Sequence, residues 1–324
     1  MLTNMKKLTT KQILFYAVPL IVIAFLFAVP QLGNRSLIVH IKLMCLYITL
    51  GHMWNLLAGY AGLVSLGQQM YIGLGAYTIA VLTEKLGVPY IPGLIISGAI
   101  CMVFAIGLSY LLLRMKGMYF SIATWLFAEA MMLVLAGIAY LGKGQGMFLP
   151  HARQITSQIP YYAAALLIIT MIVVVIVLRS KLGLGLFAIR DDDISSATSG
   201  VPQFKSKLYC MMISSFITGV CGSIFYMDTT WAKPADAFGI DWTVRAVFIV
   251  VIGGIGTVMG PVIGGIIYVI LSVQLSRMPN IGSLNMVILG VIAVAVILLA
   301  PDGIVGTLQK RFKFEILSSR RRLK

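Results

Sequence analysis

Acidic residues are nearly missing from this chain. Ten Asp and Glu occur among 324 residues, and all charged types together make up 11% against 60% hydrophobic. So little polar surface cannot cover a water-soluble globule, which excludes a soluble enzyme or a soluble binding domain. Cysteine is also scarce. Cys45, Cys101, Cys210 and Cys221 lie within or beside apolar runs without metal-type spacing and read as buried thiols. The three histidines give no three-ligand metal cluster: His40 and His52 read as packing residues and His151 falls on a loop. No Gly-x-x-x-x-Gly-Lys-Ser/Thr phosphate loop occurs, so the chain cannot hydrolyse ATP by that route. A Gly-x-Ser-x-Gly elbow, a His-Glu-x-x-His pair and paired membrane aspartates are absent too, which argues against an intramembrane enzyme.

What is present is oil. A mean hydropathy of +0.98 is spread along the whole length as runs at roughly 13–30, 37–58, 66–83, 93–113, 118–140, 161–178, 208–228, 241–253, 259–276 and 284–300. A helical crossing takes about 20 residues, so the expectation is an all-α polytopic bundle of about 8 to 10 spans in one membrane domain, 13–306. The run at 241–253 contains Arg245 and ends at Gly253-Gly254, which predicts a tilted or broken helix. The first run ends in Phe27-Ala28-Val29-Pro30 without a small-x-small site, so it reads as a span and not as a cleaved signal. Asn34-Arg35-Ser36 matches a glycosylation sequon by chance.

Alternating the spans from an inside amino terminus places 17 of the 25 Lys and Arg on one side and six on the other. Short cytoplasmic loops retain positive charge, so the segment 1–12, the loop 179–207 and the basic tail 307–324 are expected in the cytoplasm. The net charge of +15 is then mostly topology. It favours anionic lipid and gives no reason to invoke nucleic acid.

Residues 179–207 form a polar island with eight charges. Placing Arg190, Asp191, Asp192 and Asp193 in hydrocarbon would cost about 2.5–3.5 kcal/mol each, so the island must be wet. Phe187, Ile194 and Val201 recur every seven residues with Ala197 between them, which predicts a short amphipathic helix at about 189–199. The aspartates suit its positive end, and Gly200 before Val201-Pro202 is a stop. Such a short helix is marginal alone, so a partner protein is expected to hold its apolar stripe.

Gly183-x-Gly185 followed by Ala188-Ile189-Arg190-Asp191-Asp192, Ala197, Gly200-Val201 and Lys205 resembles the cytoplasmic coupling segment of branched-chain amino acid ABC transporter permeases, the LivM-like group. The stretch Asn55 to Gln68 with Gly73-Leu74-Gly75-Ala76-Tyr77 resembles the early hairpin of that family, as Gly117 to Thr124 with Glu129, Val251 to Pro261 and Pro301 to Ile304 resemble its later motifs. The resemblance runs in order from about 45 to 306. It implies an inner-membrane permease subunit of a bacterial ATP-driven importer for branched-chain or other hydrophobic amino acids. Urea and short-chain amide permeases share these motifs, and that alternative stays open.

The resemblance also implies partners: a second homologous permease subunit, two ABC ATPase subunits that hold the ATP and magnesium, and an extracytoplasmic solute-binding protein on outer loops such as 142–160 and 229–240. This chain itself would need no cofactor. Arg190 and Asp191 to Asp193 would meet the ATPase at its rim, and Ile194, Ala197 and Gly200 would complete that surface. Gln68 and Gln69 carry amides suited to a zwitterion or an amide, and Tyr71, Tyr77 and Glu129 are further pathway candidates. Glu129 is the one carboxylate well inside a run, which points to a gate or to a buried donor as its partner. An ion-coupled secondary transporter would normally need more such groups. Gly256, Gly260 and Gly264 are four apart and suit one close-packed ridge. Alternatively, the backbone is broken at Gly253-Gly254-Ile255-Gly256 and at Gly59 to Gly67, where it would line a pathway.

Overall fold

The computed structural model describes residues 35–277, 284–300 and 302–312, with residues 31 and 33 ahead of them. The run at 13–30, the segment 1–12 and most of the basic tail lie outside the described residues. In chain order the helices are α1 (Arg35–Asn55), α2 (Gln68–Ala80), α3 (Tyr90–Leu112), α4 (Met118–Gly137), α5 (Ile159–Arg179), α6 (Lys181–Asp191), α7 (Asp193–Thr198), α8 (Gln203–Thr229), α9 (Pro234–Ala237), α10 (Asp241–Gly253), α11 (Gly260–Arg277), α12 (Asn285–Leu299) and α13 (Gly303–Phe312). π-helical turns, Leu56–Tyr60 and Val81–Lys85, extend α1 and α2.

Five helices among the described residues are long and apolar enough to cross a membrane: α1 with its π turn, α3, α4, α5 and α8. Shorter apolar stretches lie in α11 and α12. The chain is therefore a helical membrane protein. Among the described residues there is one strand pair, β1 (Met147–Phe148) antiparallel to β2 (Trp231–Ala232), with Met147 opposite Ala232. This ribbon marks one end, here the hairpin end. The island from Ser180 to Pro202 marks the other, the charged end.

α8 is the axis of the bundle. In its most apolar stretch 67% is buried, against 22% for α4, and it packs on α1, α2 and α3. Small residues let it come close: a Cβ added at Gly75 would lie 2.0 Å from the Gly219 carbonyl oxygen. At the same level the Ser223 hydroxyl reaches the Gly75 carbonyl at 2.9 Å and the Ser97 hydroxyl at 2.8 Å. Lipid supplies no hydrophobic drive between helices, so such backbone contact and interhelical hydrogen bonding hold the bundle. α1 lies against α5, α10 and α11 on its other faces. All four cysteines are free and buried.

The runs at 37–58 and 66–83 match α1 and α2, which join through a short irregular stretch in which Leu63 and Ser65 are buried while Gly62 and Val64 are exposed. After Ala61 the chain turns at Gly62, φ +68°, and runs extended to Gly67. It climbs back along α1, because the Trp54 indole donates to the Ser65 carbonyl at 2.9 Å. The second interruption follows α10, which is only 13 residues long and stops at Gly254, φ +123°. Gly256, φ +73°, lies inside this break and not on a helix, so the ridge of three glycines expected from their spacing does not form. Gly260 and Gly264 do sit on α11, where added Cβ atoms would strike the Gly254 and Ile249 carbonyl oxygens at 2.4 and 1.9 Å.

Candidate functional site

Irregular backbone at membrane depth has to find hydrogen-bond partners inside the protein. In the first break, α4 supplies them. The Ser121 hydroxyl donates to the Val64 carbonyl at 2.6 Å, and the Leu66 amide donates to the Thr124 hydroxyl at 3.0 Å. The Ser65 hydroxyl accepts from the Gly67 amide at 3.3 Å, and the Leu63 amide returns to the Leu57 carbonyl at 2.9 Å. α2 therefore starts in the interior with Gln68 and Gln69 fully buried. The Gln68 amide nitrogen donates to the Ser214 and Thr218 hydroxyls at 3.1 and 3.0 Å, and Thr243 donates to the Gln69 carbonyl oxygen. Among the described residues, Gln68 Oε1 and Gln69 Nε2 have no hydrogen-bond partner.

Asn55, at the end of α1, is bonded to the second break. Its amide nitrogen donates to the Thr257 carbonyl at 3.0 Å, and its Oδ1 accepts from the Gly256 amide at 2.8 Å. Beside it the Gly59 backbone comes so near that an added Cβ would sit 2.7 Å from the Gly256 nitrogen, so only glycine fits. Nothing in the spacing of Asn55 announces this role. A lone amide near the end of an apolar run is its one sequence signal.

Arg190 reaches into the same place from the charged end. Its Nη1 donates to the Gly59 carbonyl at 2.8 Å, and a Cβ on Gly256 would lie 2.9 Å from that nitrogen. One side chain thus bonds the polar island to the end of α1 and lies close against the second break. Its guanidinium also stands 5.8 Å from the Phe187 ring centroid, and Phe187 packs edge-on against Tyr60 at 5.7 Å.

The island itself departs from the expected single helix at about 189–199. It forms two helices that meet at Asp192, whose extended backbone ends α6 and starts α7. Side chains there compete with the helix: Asp192 Oδ1 accepts from the amides of Ile194 at 2.9 Å and Ser195 at 3.3 Å. The apolar stripe is broken up in consequence. Phe187 faces the bundle, Ile194 and Ala197 are exposed, and Ser196 is the buried residue of α7. The three aspartates also part ways. Asp191 points outward within 3.5 Å of Arg190, Asp192 caps, and Asp193 pairs with Lys207 at 2.9 Å and Lys116 at 3.8 Å. Gln203 donates to the Asp193 carbonyl, and Gly200, φ +79°, closes the segment.

Between the island and the first break lies a cavity of about 500 Å³ lined by Gly62, Val64, Lys116, Arg190, Asp193 and Lys207, among others. Three cations and one acid give it a basic wall. The other candidates stand apart from it. Glu129 is half-buried on α4 and accepts from the Trp125 indole one turn away at 3.2 Å. Tyr71 is buried in the core, and the Tyr77 hydroxyl donates to the Ala232 carbonyl at 3.1 Å, near the hairpin end. Among the described residues no group of three His, Cys, Asp or Glu could hold a metal ion.

Interrupted helices knitted together inside a multi-pass bundle are a feature of membrane transport proteins. The chain belongs to the branched-chain amino acid transport system permease component family, whose model matches residues 38–298. It is similar to the high-affinity branched-chain amino acid transport system permease protein LivM of Escherichia coli (strain K12), 27% identical across 95% of this chain and 78% of that one. The LivM permease of Salmonella typhimurium is 26% identical over the same shares. No solved structure gives a significant match.

Proposed function

We propose that this chain is half of the membrane pathway of an ATP-driven importer that carries branched-chain or other hydrophobic amino acids. It would lie in the inner membrane of a bacterium, with 8 to 10 spans in one domain, 13–306, and with both termini and the charged end in the cytoplasm. A homologous permease would complete the pathway, and a solute-binding protein would dock at the hairpin end. Two ATPase subunits with their ATP and magnesium would grip the island, meeting the exposed Asp191, Ile194 and Ala197.

The observation that carries this reading is the hydrogen bond of Arg190 to Gly59. Such a machine needs a physical link of this kind, from a segment outside the bundle to the turn Leu56–Tyr60 that leads into the first break. Membrane-depth carboxylates to carry coupling ions are few, since Glu129 is held by Trp125 and Asp228 is paired with Lys42.

Proteoliposomes containing this chain, the permease and ATPase chains encoded beside it, and the solute-binding protein test the reading. Labelled leucine is expected to accumulate only with ATP inside the compartment the island faces. Uptake that proceeds without the ATPase chains would sink it. Arg190→Ala is expected to keep most ATP hydrolysis while uptake falls about tenfold or more, the loss of one charge-assisted hydrogen bond. Arg190→Lys should restore part of the uptake.

A further inference from the structure

Away from the island, a cation inside the bundle has no carboxylate in ion-pair contact. Arg245 lies on the second turn of α10, and no described carboxylate comes within ion-pair distance of it. The nearest acid along the helix is Asp241, one turn earlier and exposed. Intramembrane charges are costly and mark pathways unless they are paired. Arg245 is held rigidly nonetheless. Its Nη1 donates to the Tyr47 hydroxyl at 3.1 Å, its guanidinium lies 5.1 Å from the Trp242 ring centroid, and Tyr47 packs edge-on against Tyr268 at 4.9 Å. Its Nε is buried and without a hydrogen-bond partner.

Beside this guanidinium runs a groove of about 260 Å³, lined almost wholly by apolar groups such as Leu66, Val244, Val247, Phe248, Leu289 and Gly290. That is below the ~300–1,000 Å³ of sites for drug-sized ligands, and so of a size for a small molecule. We propose that Arg245 and this groove bind the α-carboxylate and the side chain of a hydrophobic amino acid on its way through the protein. The inference deepens the import reading and rests on it.

Three features favour that occupant. A fixed cation at the edge of an apolar trough matches a carboxylate attached to a hydrocarbon branch. The trough touches the first break: Leu66 belongs to it, and Thr243, which also lines the trough, is bonded to Gln69 at the start of α2. A ligand there would therefore contact both α10 and the irregular segment that precedes α2. The groove is also open on one side, where the second permease would close it. Since no carboxylate lines it, the acid end and the apolar branch are what it reads, and the ammonium is not. An anionic lipid offers the same chemistry, a negative head on a hydrocarbon chain.

The test uses the assembled importer in phosphatidylcholine vesicles, with labelled L-leucine as the probe. Arg245→Gln should raise the KM or lower uptake by about ten- to a hundredfold, with Arg245→Lys in between, while ATP hydrolysis without solute persists. Excess 4-methylpentanoate should compete with leucine and 3-methylbutylamine should not. Gly290→Leu leaves Arg245 untouched and extends into open space, since a Cβ there meets nothing within 4 Å. It should shift preference from leucine towards alanine. If wild type does not take up leucine with ATP, the import reading fails first. If it does, and Gly290→Leu keeps the size preference while Arg245→Gln keeps the KM within about twofold, the groove holds lipid or the partner subunit and this site is overturned.

Discussion

A buried charge in this protein is tolerated where another group answers it, and Lys42 shows the rule. It is 8% exposed, on α1 towards the hairpin end, and its ammonium meets the Asp228 carboxylate of α8 at 2.5 Å. Removing one partner strands the other, so Lys42→Met should destabilise by about 3 kcal/mol, near the low end for buried pairs because Asp228 keeps some exposure. Lys42→Met with Asp228→Leu should recover most of that. Unfolding midpoints of the purified protein in detergent decide it, and equal losses in the single and double variants would show that the pair contributes nothing. In the sequence, Lys42 falls inside the run 37–58 with no visible partner, since Asp228 lies 186 positions away. Long-range partnership of this kind leaves no local pattern. Asn55 and Thr243 were overlooked for the same reason, whereas Arg190 was legible as a residue though not in its direction.

At the scale of the element, the apolar runs found the helices because a 20-residue stretch in lipid has only one way to bond its backbone. Interruptions were legible where glycines clustered. The division of the island at Asp192 was not, because the heptad of Phe187, Ile194 and Val201 fits one helix, and only geometry reveals that Asp192 caps the next. Asp192→Ala should therefore loosen α7 by about 0.5–2 kcal/mol, the range for lost N-caps, while Asp192→Asn preserves it. Amide exchange is the readout: residues 194–198 should exchange faster in the Ala variant only, and unchanged protection would mean that the cap is idle. The contact of α2 with α8 makes a harder prediction. Gly75→Ala puts a methyl group 2.0 Å from the Gly219 carbonyl oxygen, backbone against backbone, and should cost at least the 1–3 kcal/mol typical of overpacking. Ser223→Ala removes hydrogen bonds from the same contact without adding bulk and should cost less, so the order of the two midpoints tests the close approach.

For the whole molecule the question is which way it faces, and its composition makes the answer measurable. All four native cysteines are buried, at 4% exposure or less, so an impermeant maleimide should find almost no background in the wild type. Asp192→Cys places one thiol on the exposed island, and Lys143→Cys places one in the turn before β1 at the opposite end. The excess of Lys and Arg on the island side predicts that it is retained in the cytoplasm. Asp192→Cys should then label in inverted vesicles and stay silent in intact cells with a permeable outer envelope, and Lys143→Cys should do the reverse. The consequence reaches back to the residue scale. A link from Arg190 to Gly59 transmits force from a nucleotide-driven partner only if the island lies where nucleotide is, so the opposite labelling pattern would leave the fold intact and remove the motor from the mechanism.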